Sequence, residues 1–261
     1  MMRITLIGTG RVANHLALVL AKKHRIVQVF SRDKQNAQNL ADRVNAEAIN
    51  QIEQLNRQTD LVIIAVSDQA ISELIKNVSQ YVPDSLIVHT SGSTSLSVLT
   101  ESHLRAGVFY PLQTFSFERE VNWSDTPLFV EATNTQDLNV LTELANELSD
   151  CVYQYSSKQR QTLHLAAVFA CNFSNYCYDM AKQIVDAESV DFNLLFPLIM
   201  ETANKATQND PQKMQTGPAM RGDQNILSKH RNLLINAHRA DLENIYKIMS
   251  DGIYERQNKP F

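Results

Sequence analysis

No run in these 261 residues is long and apolar enough to span a membrane. The chain enters a strand-forming run at once, without the pattern of a secretory signal. Positive charge is not in excess. Lys and Arg number 24 against 28 Asp and Glu, a net charge of −4, so nucleic acid and anionic membranes are not expected partners. Cysteine is scarce: Cys151, Cys171 and Cys177 have no metal-ligand spacing, and no metal is expected. Their odd number suggests reduced thiols in the cytoplasm, and the apolar helical run around Cys171 and Cys177 suggests buried, inert ones. Repeats and low-complexity tracts are missing too. These absences leave a cytoplasmic globular chain with room for one large or two ordinary domains.

What is present starts at the first residues, "MRITLIGTGRVANHLALVL". Ile4-Thr5-Leu6-Ile7 reads as a buried strand, Gly8-Thr9-Gly10 breaks it, and Val12, Leu16, Val19 and Leu20 fall at helical spacing. A strand, a glycine turn and a helix are the setting in which G-x-G-x-x-A binds a dinucleotide. Gly8 permits the turn, Gly10 lets a pyrophosphate approach the backbone, and Ala13 lets helix and strand pack closely. The backbone N–H groups of Thr9, Arg11 and Val12 stand where helix-end donors meet phosphate.

The tip of the second strand lacks the carboxylate that an NAD site places there for the ribose hydroxyls. It carries Ser31 and Arg32 instead, a hydroxyl and a guanidinium suited to a 2′-phosphate, which points to NADP(H). Asp33 follows, either as a ribose ligand or as the start of the next helix.

Strands and helices alternate to about residue 155. Helices are expected at 33–44, 69–80, 95–102 and 135–148, and strands at 60–66, 85–88, 107–110, 128–130 and 151–153. That alternation predicts an α/β Rossmann domain with a mostly parallel, doubly wound sheet over 1–155. Beyond it only helices are expected, at 158–185, 193–207, 224–237 and 241–253, so 156–261 is read as an all-α domain.

Ligands of such sheets lie outside the carboxyl ends of the strands. Val66 and Ser67 end one strand, Ser91 and Gly92 the next, and Tyr110 and Gln113 the one beyond. Ser91 and Gly92 should border the nicotinamide, while Ser93 or Ser95 could simply cap the next helix. In the long helix, Gln161, His164, Asn172, Asn175, Asp179 and Lys182 fall within an arc of ~80° at 100° per residue. That narrow seam on a mostly apolar helix faces either solvent or the cleft. Asp223 caps a helix or meets substrate, and His230 sits mid-face among apolar residues, as a hydrogen-bonded core histidine does.

"LIGTGRVANHLA", "HTSGS", "YPLQTF", "LHLAAVFACNFSNYCY" and "GPAMRGD" together resemble the Rossmann-like NADP oxidoreductases that carry a C-terminal helical domain of unknown function. The resemblance runs over nearly the whole chain. It implies a second domain like the C-terminal domain of 6-phosphogluconate dehydrogenase, and a homodimer formed through it. More distantly the chain is similar to pyrroline-5-carboxylate reductase, prephenate dehydrogenase and the 3-hydroxyacid dehydrogenases. The catalytic lysine of the last group is missing, and His164 is the nearest polar residue. Tyr110 stands where the prephenate-type segment has histidine.

The expected activity is hydride transfer between nicotinamide and a carbonyl or imine carbon of a small polar substrate. His164 is the expected general acid, since an imidazole titrating near neutrality suits proton transfer. Asn172 and Ser91 would orient the substrate, Asn175 and Gln113 would contact it, and Arg221 would hold a carboxylate. A nucleotide-binding sensor without catalysis is the reading beside it. A methyltransferase can share the glycine turn, but Ser31-Arg32 and the helical second half argue against one.

Overall fold

The computed structural model describes residues 1–258. By packing, the chain forms two compact units, 1–172 and 173–261.

The first unit is built on eight strands: β1 (Arg3–Ile7), β2 (Arg25–Phe30), β3 (Glu47–Ile49), β4 (Leu61–Ile64), β5 (Leu86–His89), β6 (Ala106–Pro111), β7 (Leu128–Ala132) and β8 (Val152–Gln154). Their order across the sheet is β3-β2-β1-β4-β5-β6-β7-β8. The order turns back on itself between β1 and β4, which opens a crevice at their carboxyl ends. Helices α1 (Arg11–Leu20), α2 (Lys34–Val44), α3 (Asp68–Val78), α4 (Ser97–Thr100) and α5 (Thr135–Asn146) make the connections. Neighbouring strands are parallel except β6 and β7, whose pairing is antiparallel. No crossover helix joins those two, and without one the chain returns alongside itself in the opposite sense.

Both sheet faces are covered, so strand side chains alternate between two apolar layers. Ile4, Leu6, Leu61 and Ile63 join the layer that includes α1, α2 and α5 residues. Ile7, Val62 and Ile64 join the layer under α3 and α4. Near-continuous apolar strands are what a two-sided parallel sheet demands. The three-residue edge strand β3 was not expected, and α4 is one turn where 95–102 was read as helix.

The expected helix 158–185 is α6 (Ser157–Ala167), a π-helical turn (Val168–Phe173) and α7 (Ser174–Ala187). Secondary-structure class changes at 155/156, whereas the packing unit changes at 172/173. The second unit continues with α8 (Phe196–Gln208), α9 (Pro218–Arg221), α10 (Gln224–Asn236) and α11 (Ala240–Asn258). Asp223 caps α10 by accepting the Ile226 N–H at 3.3 Å. Cys171 is exposed and Cys177 half-buried. That corrects the expectation of buried thiols: the run is apolar, but its faces are not all covered.

Candidate active site

A cleft of about 940 Å³ opens at the crevice between β1 and β4, lined entirely by the first unit. Gly8 shapes its floor. It adopts a positive φ of 113°, donates to Phe30 O at 2.9 Å, and a Cβ there would sit 2.2 Å from Ala65 O. Only glycine makes this turn against the end of β4. Gly10 is different: a Cβ there would meet nothing within 4 Å. It is the N-cap of α1 and offers no side-chain cap. Space at Gly10 and uncapped helix-end N–H groups fit a diphosphate. Thr9, Arg11 and Val12 line the same stretch.

Ser31 and Arg32 line the cleft after β2. The Asp33 carboxylate accepts the N–H groups of Gln35 at 2.8 Å and Asn36 at 3.2 Å, so it caps α2. Among the described residues no carboxylate pairs with Arg32. An uncommitted guanidinium beside a capping aspartate fits a 2′-phosphate better than a free ribose hydroxyl. Val66 and Ser67, after β4, complete this wall.

At the other end the segment after β5 is held rigidly. Ser91 Oγ accepts the N–H groups of Ser93 at 3.1 Å and Thr94 at 2.9 Å, leaving its own O–H to donate. Arg160, fully buried on α6, donates its Nε to Ser91 O at 3.2 Å and its terminal nitrogens to Thr94 O and the Glu131 carboxylate. Ser157 also donates to Glu131, at 2.8 Å, and Gln161 donates to Ser93 O at 2.8 Å. On the outer side Ser93 Oγ donates to the Asp68 carboxylate.

Against this frame rest Tyr110 and His164. Tyr110 Oη lies 3.0 Å from His164 Nδ1, and the two rings meet edge-on at 6.0 Å. Gly92 makes their approach possible, since a Cβ there would be 2.5 Å from His164 Nδ1 and 2.8 Å from Tyr110 Cζ. Burial pushes the Tyr110 phenol up to about 12; Arg160 opposes that and Asp68 adds to it. His89, at the end of β5, accepts the Ser91 N–H at Nδ1, 3.1 Å away. Burial first, then the Arg160 charge, holds its pKa down to about 3, against Asp68 and the Ser95 backbone. Its ring is therefore neutral, with the proton on Nε2, which is buried without a hydrogen bond.

One cleft thus gathers Gly8, Thr9, Gly10, Arg11, Val12, Ser31 and Arg32 from the first two strand ends, Val66, Ser67, Ser91, Gly92 and Gln113 from later ones, and His164 from α6. Asn172 is exposed in the π-helical turn and does not line it. Asn175 on α7 and Arg221 on α9 are exposed residues of the second unit. The seam drawn at 100° per residue assumes an unbroken α-helix, and the π-helical turn at Val168–Phe173 breaks that repeat. His230 bonds the Tyr246 hydroxyl at 2.9 Å, as a structural histidine would. Arg160 went unnoticed in the sequence: besides the Ser157 hydroxyl, its partners are the Ser91 and Thr94 carbonyls and a glutamate on β7, all distant in the chain.

Fold and cleft together define a dinucleotide-dependent oxidoreductase. A family model described as NADP oxidoreductase coenzyme F420-dependent matches residues 3–92, and one described as a domain of unknown function, DUF2520, matches 126–253. The Bacteroides fragilis protein BF3122, described as a "putative NADP oxidoreductase", is 39% identical, with 97% of this chain and 98% of that one covered and a TM-score of 0.91. The chain belongs to this NADP oxidoreductase family. Protein TM1727 from Thermotoga maritima shares the fold at 21% identity and a TM-score of 0.78, covering 98% of this chain and all 100% of that one. An imine reductase from Myxococcus stipitatus, in complex with NADP+, shares it at 15% identity and a TM-score of 0.64, over 97% of this chain and 92% of that one. No curated protein matches the chain.

Proposed function

We propose that this protein is an NADP(H)-dependent oxidoreductase that moves a hydride between nicotinamide and a carbonyl or imine carbon of a small polar substrate. The observation that carries this reading is the Tyr110–His164 pair, seated over Gly92 in the cleft that begins at the glycine turn. The nicotinamide supplies or accepts the hydride when bound. The chain's residues do the rest. Gly10 and the N-terminus of α1 hold the diphosphate, and Arg32 holds the 2′-phosphate.

Tyr110 stays protonated at ordinary pH because burial raises its pKa to about 12. When the His164 ring carries both protons, its Nδ1–H donates to the Tyr110 oxygen and its Nε2–H is left for the substrate, so that donating it returns a neutral imidazole. His164 then gives that proton to the oxygen or nitrogen of the carbon being reduced, and takes one back in the reverse direction. Ser91 orients the substrate and Gln113 contacts it. The second unit pairs with a second copy, because its exposed apolar side chains need a cover. A cytoplasmic setting agrees with three unpaired cysteines.

The test is a binding titration followed by a panel of carbonyls and imines. NADPH should bind at least about tenfold tighter than NADH, and Arg32→Ala should erase the gap, since a charge-assisted contact is worth ~1.5–3 kcal/mol. His164→Ala should lower turnover ~10²–10⁴-fold with NADPH affinity within a few-fold. Equal affinity for the two nucleotides defeats the cofactor assignment. Tight NADPH binding with no turnover across the panel would favour a sensor.

A further inference from the structure

The segment between β6 and β7, residues 112–127, contains no helix or strand, yet it does not loop away from the molecule. Its base is closed by the Leu112 N–H on Pro127 O at 2.9 Å. From there it runs back to the glycine turn, and Gln113, Phe115 and Phe117 join the cleft lining. Two residues of α1 meet it. His15 donates its Nε2 proton to Ser116 O at 2.7 Å, and its ring lies 5.3 Å from that of Phe115. Arg11, the first residue of α1, holds its guanidinium over the face of Phe117 at 6.0 Å. Phe115 leans on Trp123 at 6.0 Å, and Trp123 packs on the core layer beneath.

Two features of this arrangement are incomplete in the free protein. Phe117 is 56% exposed, an apolar ring left in water beside a cleft. Arg11 has an aromatic face but no carboxylate partner among the described residues. A diphosphate at the N-terminus of α1 completes both. It offers Arg11 an anion, and its sugar edges offer Phe117 a surface to cover. Covering it expels water, which strengthens each charge-assisted contact below.

We propose that residues 113–117 form an aromatic strap that closes over the diphosphate of the bound dinucleotide, latched to α1 by His15 and keeping Arg11 poised by Phe117. The inference rests on the dinucleotide reading above and assigns it residues that the glycine motif does not include. His15 is a positioning residue, acting through the Ser116 carbonyl; Phe117 and Arg11 make the contact.

The chain's single tryptophan, Trp123, reports on the strap from its place beside Phe115. NADP+ is titrated into the full-length protein, with binding read by calorimetry and the strap by Trp123 emission and its quenching by acrylamide. NADP+ should change the emission saturably and shield Trp123. Phe117→Ala should weaken NADP+ about tenfold, the order expected for a lost cation–π contact and ring cover. It should keep the parent's melting temperature, because the ring is exposed. His15→Ala should weaken binding several-fold and uncouple the Trp123 signal, and His15→Gln, which keeps an N–H for Ser116 O, should restore most of both. If both alanine variants bind within about twofold of the parent, the strap is only a connection. If the parent binds no NADP+ at all, the dinucleotide reading falls and the strap with it.

Discussion

The two units place their apolar residues differently. In the first, whole strands disappear from solvent: Ile4, Leu6 and every residue of β4 are 0% exposed. In the second, among the described residues, only Met180, Ala219 and Leu242 are buried, while Leu194 and Ile248 are 71% exposed and Leu198 63%. A sheet with helices on both faces covers its own apolar side chains. A small set of helices covers only the sides that face one another, and a helix that is apolar around much of its circumference keeps an uncovered side. The first unit thus buries its own core and carries the cleft, and the second leaves large apolar side chains exposed.

The largest blow to that contrast should come from Arg160→Met in the first unit. It strands the Glu131 carboxylate and frees the Ser91 and Thr94 carbonyls, at a cost of ~3–5 kcal/mol in denaturant unfolding. A loss under about 1 kcal/mol would mean the buried network is not what holds the strand-end segment.

An effect smaller per pH unit should follow acid. His89 is neutral in the folded chain, its pKa near 3, and titrates at about 6.5 when unfolded. Between those values the unfolded chain binds the extra proton. Its contribution is therefore fully present above pH ~6.5 and declines as pH falls toward 3, by up to ~1.4 kcal/mol per pH unit. His89→Gln should flatten the slope of stability against pH in that window, and an unchanged slope would remove His89 from the account.

The smallest effect should be at Leu198 on α8. Leu198→Ser should cost no more than ~0.5 kcal/mol in a subunit that stands alone. A larger loss that grows with protein concentration in sedimentation and melting would reveal the second copy. Indifference at every concentration would place the partner surface elsewhere.

The glycine turn, the alternating strands and the capping role of Asp33 were legible because each depends on neighbours within a few residues. The glycine-turn and β2-end residues share one cleft with Val66 and Ser67, because a turn, a helix start and two strand ends lie side by side there. The end of the cleft that holds Tyr110 and His164 was only half legible. His164 stood out on an apolar helix, but Tyr110 joined it through a contact across 54 positions in the chain. Nothing in the residues around Arg160 announces carbonyls at Ser91 and Thr94. The π-helical turn was invisible for another reason: periodicity is measured by assuming the helical repeat, so a change in the repeat goes unseen. The edge strand β3 pairs only with β2 over three residues, too short to carry a pattern.

The central place of β1 also governs how the molecule is made. β1 lies between β2 and β4, so the first strand to be synthesised is completed on its second edge only when residues 61–64 arrive. At ~5–20 residues per second, roughly 3–11 s of translation separate the two. During that interval Ile4–Ile7 is an apolar strand with an open edge, ready to pair with any other chain. The nascent protein should therefore be a client of chaperones that bind short apolar segments near the ribosome exit. β4 covers that edge but leaves its own open for β5, so the dependence should fall stepwise as β4 to β8 are added, ahead of the helical half.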